Sequence, residues 1–301
     1  MRLRVATRGS ALALWQAEHV VALVRAVDPG VEADVQVVET QGDRRLDVPI
    51  WELGGKGVFA KEVQAAVLDG RADVAVHSAK DLPSATPEGL VIAAVPERGD
   101  PRDALVGARL DDLPEGGLVL TGSLRRRAQL AHRRPDLRFG SLRGNMQTRL
   151  ARADEPGVDA VVVAATALDR LGLGDRIAER LDPAVMLPQV AQAALAVECR
   201  ADAAATRRLL ARIEHRTSRQ AVDAERGVLA ELGGDCSLPA AAHATVSDGR
   251  VHLAALVASE DGTVVVRHEV VGGAGGGPEL GRSLARHLLD AEGGAKLLGR
   301  A

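Results

Sequence analysis

The chain has 301 residues, 46% of them hydrophobic, with a formal net charge of −3 and a pI near 6.3. That balance speaks against a general nucleic-acid binder, which needs a basic surplus to neutralise phosphates, and no apolar run approaches the ~20 residues of a membrane span. With two Phe, two Trp and no Tyr, the core must be built from Val, Leu, Ile and Ala, and stacking platforms for single-stranded nucleic acid are missing.

The first two-thirds of the chain alternates strand and helix patterns, as a parallel α/β architecture does. LRVAT (3–7) reads as a strand. Gly9 and Ser10 turn into a helix with Leu14, Ala17, Val21 and Val24 on one face, stopped by Asp28-Pro29-Gly30. VEADVQVVET (31–40) is the next strand, Phe59 to Leu68 a helix stopped by Gly70, ADVAVHS (72–78) a strand and LVIAAV (90–95) another. PERGDPRDA (96–104) reads as a loop, after which the pattern restarts. GLVLTGSLRRRAQL (117–130) is again strand, Gly-Ser turn and helix, echoing VATRGSALAL in the first segment. DLRFGSLRGN (136–145) runs from strand into loop and helix, VDAVVVAAT (158–166) is a strand followed by a helix, and LPQVAQAALAVECR (187–200) crosses back to the first half. Two matching halves predict a two-lobed clamshell with a cleft. From about residue 217 a helix leads into alternating strands with turns at Asp248-Gly249 and Asp261-Gly262, then a glycine tract (272–278) and a last helix from Pro278.

Only four Lys stand against thirty-four Arg. Genome composition accounts for much of such a bias, but Arg also holds carboxylates bidentately where Lys cannot. Position separates the two readings. Arg8 precedes the first Gly-Ser turn, and Arg125 and Arg126 follow the second; helix N-termini there would favour an anion, although Ser10 and Ser123 are each equally readable as ordinary N-caps. Arg143 and Arg149, six residues apart in SLRGNMQTR, either face the same anion or form a solvated basic face. VHSAKD ends a strand with Ser78, Lys80 and Asp81 where α/β proteins keep their sites; Asp81 is readable as a general acid or base or as a cap on the turn before Pro83. Of the two cysteines, Cys199 lies in an apolar stretch and reads as core, whereas Cys236 sits among Gly233, Gly234 and Pro239 on a loop. So few cysteines, and an N-terminus that starts directly into a strand pattern without a signal segment, point to a cytoplasmic protein. The eight His show no metal-ligand spacing, and there is no P-loop, G-x-S-x-G or H-E-x-x-H. GKGVFA (55–60) matches a dinucleotide fingerprint in letters, but the segment before it contains Pro49 and makes a poor buried strand. On the residues alone, an enzyme and a two-lobed binding protein for a small anion both stay open.

ATRGSALALWQA (6–17), GGKGVF (54–59), VHSAKD (76–81), SLRR (123–126), SLRGN (141–145) and GGDCSLPA (233–240) occur in this order, and with them the chain resembles the porphobilinogen deaminases from Arg4 to about Ala242. The resemblance implies an α/β fold of two periplasmic-binding-protein-like lobes (1–98 with 190–214, and 99–189) plus a small C-terminal α+β domain (217–301) with a three-stranded antiparallel sheet. It implies a monomer that condenses four porphobilinogen molecules, with loss of ammonia, into hydroxymethylbilane, using no metal and no nucleic-acid or membrane partner. A dipyrromethane cofactor would hang by a thioether from Cys236, contacted by Ser78, Lys80, Ser123, Arg125, Arg126 and Gly144. Arg8, Ser10, Phe59, Arg143, Arg149 and Arg170 would bind substrate, and Asp81 would be catalytic. The chain departs from the family pattern at Gly122, where a Ser is usual, at Ala191 and Ala193, where the family reads G-Q-G-A, and at Ser237 and Ala240.

Overall fold

The computed structural model describes residues 1–40, 57–233 and 238–299. They fall into two compact units, residues 1–99 with 193–219, and residues 100–192 with 220–301.

The first unit is built on a five-stranded sheet. Strand β1 (Arg2–Thr7) is followed by helix α1 (Ala11–Val27), whose N-cap Ser10 accepts a hydrogen bond from the Ala13 amide. Helix α1 buries Ala13, Ala17, Val20, Val21 and Val24, an apolar stripe at helical period, and ends where Pro29 follows Asp28. Strand β2 (Glu32–Val37), helix α2 (Lys61–Leu68), strand β3 (Val74–Ser78) and strand β4 (Leu90–Ala94) follow. Strand β10 (Leu195–Arg200) enters antiparallel between β3 and β4, giving the order β2-β1-β3-β10-β4. Leu3, Val5, Val20, Val74 and Val197 meet in the core on one face of this sheet, with Leu210 from helix α6 (Ala204–Leu210).

The second unit repeats the plan. Strand β5 (Asp103–Gly107), strand β6 (Leu118–Leu120), helix α3 (Leu124–Arg133), strand β7 (Arg138–Gly140), helix α4 (Met146–Ala153), strand β8 (Ala160–Ala164), helix α5 (Ala165–Arg170) and strand β9 (Glu179–Arg180) form a sheet of order β7-β6-β8-β5-β9. β6, β7 and β8 are parallel, and β5 is the antiparallel insert, as β10 is in the first sheet. Strand β8, AVVVA, is buried throughout, the pattern of a strand covered on both faces. Strand β5 corrects the end of the segment read as loop (96–104), because Asp103 and Ala104 already belong to it: the apolar run Ala104–Val106 is only three residues long and carries little strand signal, and its pairing with β8 and β9 decides the matter.

Helix α7 (Arg216–Glu231) leads to an antiparallel meander of β11 (Ala240–Ser247), β12 (Arg250–Ala258) and β13 (Val265–Gly273), covered by helix α8 (Gly277–Asp290) and closed by the short helix α9 (Gly294–Leu297). The Asp248-Gly249 hairpin has positive φ at both residues, as a two-residue mirror-image turn requires. Leu187 and Ala128 of the second unit's α/β part pack on Ala241, Leu256 and Ala258 of the meander. The fold class expected from the sequence, two equivalent α/β parts and a three-stranded antiparallel sheet, is the one found. Among the described residues no helix is long and apolar enough to cross a membrane.

Candidate active site

In the first unit, neighbouring strands β1 and β3 run parallel, so Arg8, Ser10 and the Ser78–Asp81 segment emerge at the same, C-terminal edge of the sheet. The Arg8 guanidinium carbon lies over the Phe59 ring, 4.1 Å from its centroid, a cation–π contact. The Ser78 hydroxyl is 2.8 Å from Nε2 and 3.2 Å from Oε1 of Gln16 on α1. Lys80 and Asp81 lie in the single 3-10 turn, Ala79–Asp81, that follows β3, and both are partly exposed. Beneath this turn a polar cluster is sealed in the sheet: His77 Nε2 lies 3.2 Å from Glu198 Oε2, and Gln64 donates to the same carboxylate at 2.9 Å.

In the second unit the corresponding edge carries Ser123, Arg125 and Arg126 after β6, Arg143, Gly144 and Arg149 after β7, and Arg170 after β8. Ser123 is the N-cap of α3, accepting from the Arg126 amide. Both serines of the repeated turn are thus caps, which leaves their hydroxyls at the helix N-termini where an anion would sit. Asn145 caps α4 in the same way, and Arg149 Nε donates to the Gly144 carbonyl at 2.9 Å. Gly144 has φ +98°, and a Cβ there would press on Thr148 at 2.8 Å, so the loop needs glycine on both counts. Gly122 is a glycine for another reason: a Cβ on it would lie 2.5 Å from the Leu142 carbonyl. Arg170 is pushed down to about 10 by burial, opposed by Asp169.

Arg125 and Arg126 are buried rather than displayed. Both close on Asp103, which is fully buried at the start of β5, with contacts of 2.7 and 2.8 Å. Gln192 Nε2 donates to the same carboxylate at 2.9 Å. Arg125 also donates to the Leu187 carbonyl and Arg126 to the Val162 carbonyl. Burial alone would raise the Asp103 carboxyl, but the charges of Arg125 and then Arg126 outweigh it and hold the group well below the usual carboxylate range. Two guanidiniums against one carboxylate leave the triad one positive charge in excess, and Nε and Nη2 of Arg125 find no hydrogen-bond partner among the described residues. That is donor capacity for one more carboxylate. Sequence reading missed Asp103 because it fell in a segment taken for a loop, and missed Glu198 because a lone acid in an apolar strand gives no periodic signal. Cys236, with Gly54 and Gly55 of the GGKGVF motif, lies outside the described residues. Cys199 is buried in β10 and burial raises its thiol, in keeping with its reading as core.

Arginine-lined strand ends in two equivalent sheets, one with a carboxylate next to an amine, suit an enzyme that handles a carboxylate-rich organic molecule. Residues 3–208 match the family model described as porphobilinogen deaminase, dipyromethane cofactor binding domain, and residues 219–290 match the porphobilinogen deaminase C-terminal domain. The porphobilinogen deaminase of Chromobacterium violaceum is 47% identical over 293 residues, 96% of this chain and 95% of that one. The chain belongs to the porphobilinogen deaminase family. Solved structures similar to it include the methionine-binding protein MetQ (12% identity, TM-score 0.43, 77% of this chain and 94% of that chain) and a YaeC-family lipoprotein of Enterococcus faecalis (15% identity, TM-score 0.42, 71% and 91%).

Proposed function

We propose that this chain is a porphobilinogen deaminase, a transferase of tetrapyrrole biosynthesis that condenses four porphobilinogen molecules head to tail, with release of ammonia, into hydroxymethylbilane. The observation that carries the reading, beside family membership, is the arginine surplus at Asp103: a buried triad with one positive charge in excess, and two Arg125 nitrogens with no hydrogen-bond partner among the described residues, fits the carboxylate-bearing rings of a dipyrromethane.

That cofactor would be held through a thioether on Cys236 and by Arg125, Arg126, Ser78, Lys80, Ser123 and the Gly144 loop. When bound it supplies the nucleophilic pyrrole carbon from which the product chain grows. Asp103 keeps the Arg125 and Arg126 forks in one orientation before any ligand arrives, so little ordering is left to be done on binding. Arg8, in cation–π contact with Phe59, and Arg143, Arg149 and Arg170 bind the acetate and propionate groups of incoming porphobilinogen, with Ser10 at the helix N-terminus assisting. Asp81 stabilises the positive charge that develops as ammonia departs and then accepts hydrogen bonds from pyrrole N–H groups. A carboxylate placed beforehand beside developing positive charge lowers the barrier without reorganisation. Gln16, bonded to Ser78, and the buried pair of His77 and Glu198 support the turn from which Asp81 projects. The three separate sheets support a division into residues 1–98 with 190–214, 99–189 and 217–301. We place the enzyme in the cytoplasm, because thioether formation at Cys236 needs a reduced thiol, and read it as a monomer without nucleic-acid or membrane partners, as its acidic charge balance supports.

Intact mass of the purified protein under denaturing conditions, with peptide mapping around Cys236, tests the proposal. An excess of two porphobilinogen-derived pyrrole units on Cys236, together with turnover of porphobilinogen, is the expected result. A Cys236 that stays unmodified after incubation with porphobilinogen, in a protein without turnover, overturns it.

A further inference from the structure

The eight histidines show no ligand spacing along the chain, yet the packing of α8 on the meander brings two of them together. His268 on the edge strand β13 and His287 in the last turn of α8 have ring centroids 4.3 Å apart at 52°. Glu292, just beyond the helix, places Oε1 3.5 Å from His268 Nδ1 and 3.3 Å from His287 Nε2. The three candidate ligand atoms all lie within 4.8 Å of one another. Both nitrogen–oxygen separations are long for an N–H···O hydrogen bond, whose usual range ends near 3.2 Å. The shorter one matches, and the longer one lies close to, the edge of a coordination tetrahedron: metal–ligand bonds of about 2.0–2.1 Å give ligand–ligand distances of about 3.3–3.4 Å.

We propose that His268, His287 and Glu292 form a binding site for one zinc-class divalent transition-metal ion, separate from the porphobilinogen site. Two imidazoles and one carboxylate are the donor set such ions prefer over calcium or magnesium, which take oxygen. The side chains are about two-fifths exposed, so an ion enters without opening the fold, and water completes its shell. The carboxylate supplies one negative charge against the ion's two. The bound ion ties edge strand β13 to the C-terminal end of α8. It thereby staples helix to sheet in the C-terminal part of the chain and covers part of the outer strand edge.

The test uses the full-length protein stripped with a chelator and titrated with Zn2+ and Co2+. The expected result is one tight equivalent, a rise in melting temperature with added metal, and a Co2+ spectrum of nitrogen and oxygen ligation without the thiolate charge-transfer band. The double variant H268N/H287Q, altered only at exposed rings, should fold normally, lose at least about tenfold in metal affinity and lose the metal-dependent rise in melting temperature. E292Q should weaken binding and leave stoichiometry at one. Absence of binding to the wild type overturns the proposal. So does equal affinity in the double variant, or a thiolate band, which would assign the ion to cysteine.

Discussion

Replacing Asp103 with Asn removes the only negative charge in the Asp103–Arg125–Arg126 triad while keeping its shape. In the native protein Oδ1 receives Arg126 Nε at 3.0 Å and Gln192 Nε2 at 2.9 Å, and Oδ2 meets Arg125 Nη1 at 2.7 Å. In D103N the amide nitrogen must face one of these donors, and two guanidiniums that stay charged at any ordinary pH are left buried. Breaking a buried ion pair in this way costs about 3–5 kcal/mol, against a typical total of about 5–15 kcal/mol. At ~2–4 °C per kcal/mol for a unit of this size, the melting temperature should fall by roughly 6–20 °C, with a matching drop in the urea midpoint. The acid limb supplies an independent reading. Asp103 is depressed in the folded state, so its contribution is fully present above the unfolded carboxylate pKa of about 3.9 and is lost as pH falls through and below that value. Wild type should therefore lose stability below about pH 4 at up to ~1.4 kcal/mol per pH unit from this group, and D103N should lack that component. Adding R125M to D103N removes one stranded cation and should restore part of the loss. A D103N protein within about 1 kcal/mol of wild type, or an R125M change that adds its own full penalty on top, would refute the account of the triad.

Three further outcomes are expected. Ala191 and Ala193 are buried with φ of 58° and 69°, so each carries about 1–2 kcal/mol of left-handed strain. Changing them to Gly relieves that, but gives back about 0.4–1 kcal/mol of unfolded-chain entropy and roughly 0.8 kcal/mol per lost methyl. A191G and A193G should each stay within about 1 kcal/mol of wild type in urea unfolding, whereas A17G in the middle of α1 costs about 2 kcal/mol; equal losses at all three would show that the left-handed backbone is not stored strain. D81N should cut porphobilinogen turnover by on the order of 10²-fold or more with an unchanged melting temperature, and retained turnover would remove Asp81 from the mechanism. G122S, which puts a Cβ against the Leu142 carbonyl, should cost about 1–3 kcal/mol, and an unperturbed urea midpoint would show that the Ser141–Asn145 loop yields freely there.

Much of the fold around the proposed site was legible because its motifs are local. A strand followed by Gly-Ser and an amphipathic helix announces itself through two periodicities meeting at a cap, and it did so at Ser10 and again at Ser123. Strand β8 and the Asp248-Gly249 hairpin were readable for the same reason: buried runs and φ-demanding turns depend on residues a few places apart. The short strand β5 was not, since three apolar residues in a row become a strand only by pairing with β8 and β9. Asp103 went unnoticed with it, and so did the fact that Arg125 and Arg126 face inward rather than standing ready in the open.

The amino-acid order by itself thus determined the alternating α/β plan with its repeat, the meander at the end, the membership of a family and the residues that could do chemistry. Those properties rest on short-range pattern and on motif identity. Tertiary structure alone decided which arginines are tied to an acid, which alanines sit in left-handed backbone and which histidines meet a glutamate. The ion triad and the histidine cluster join side chains from different elements, and the alanine backbone is held by the packing around it, so charge compensation, strain and ligand geometry exist only once those elements are packed at contact distance.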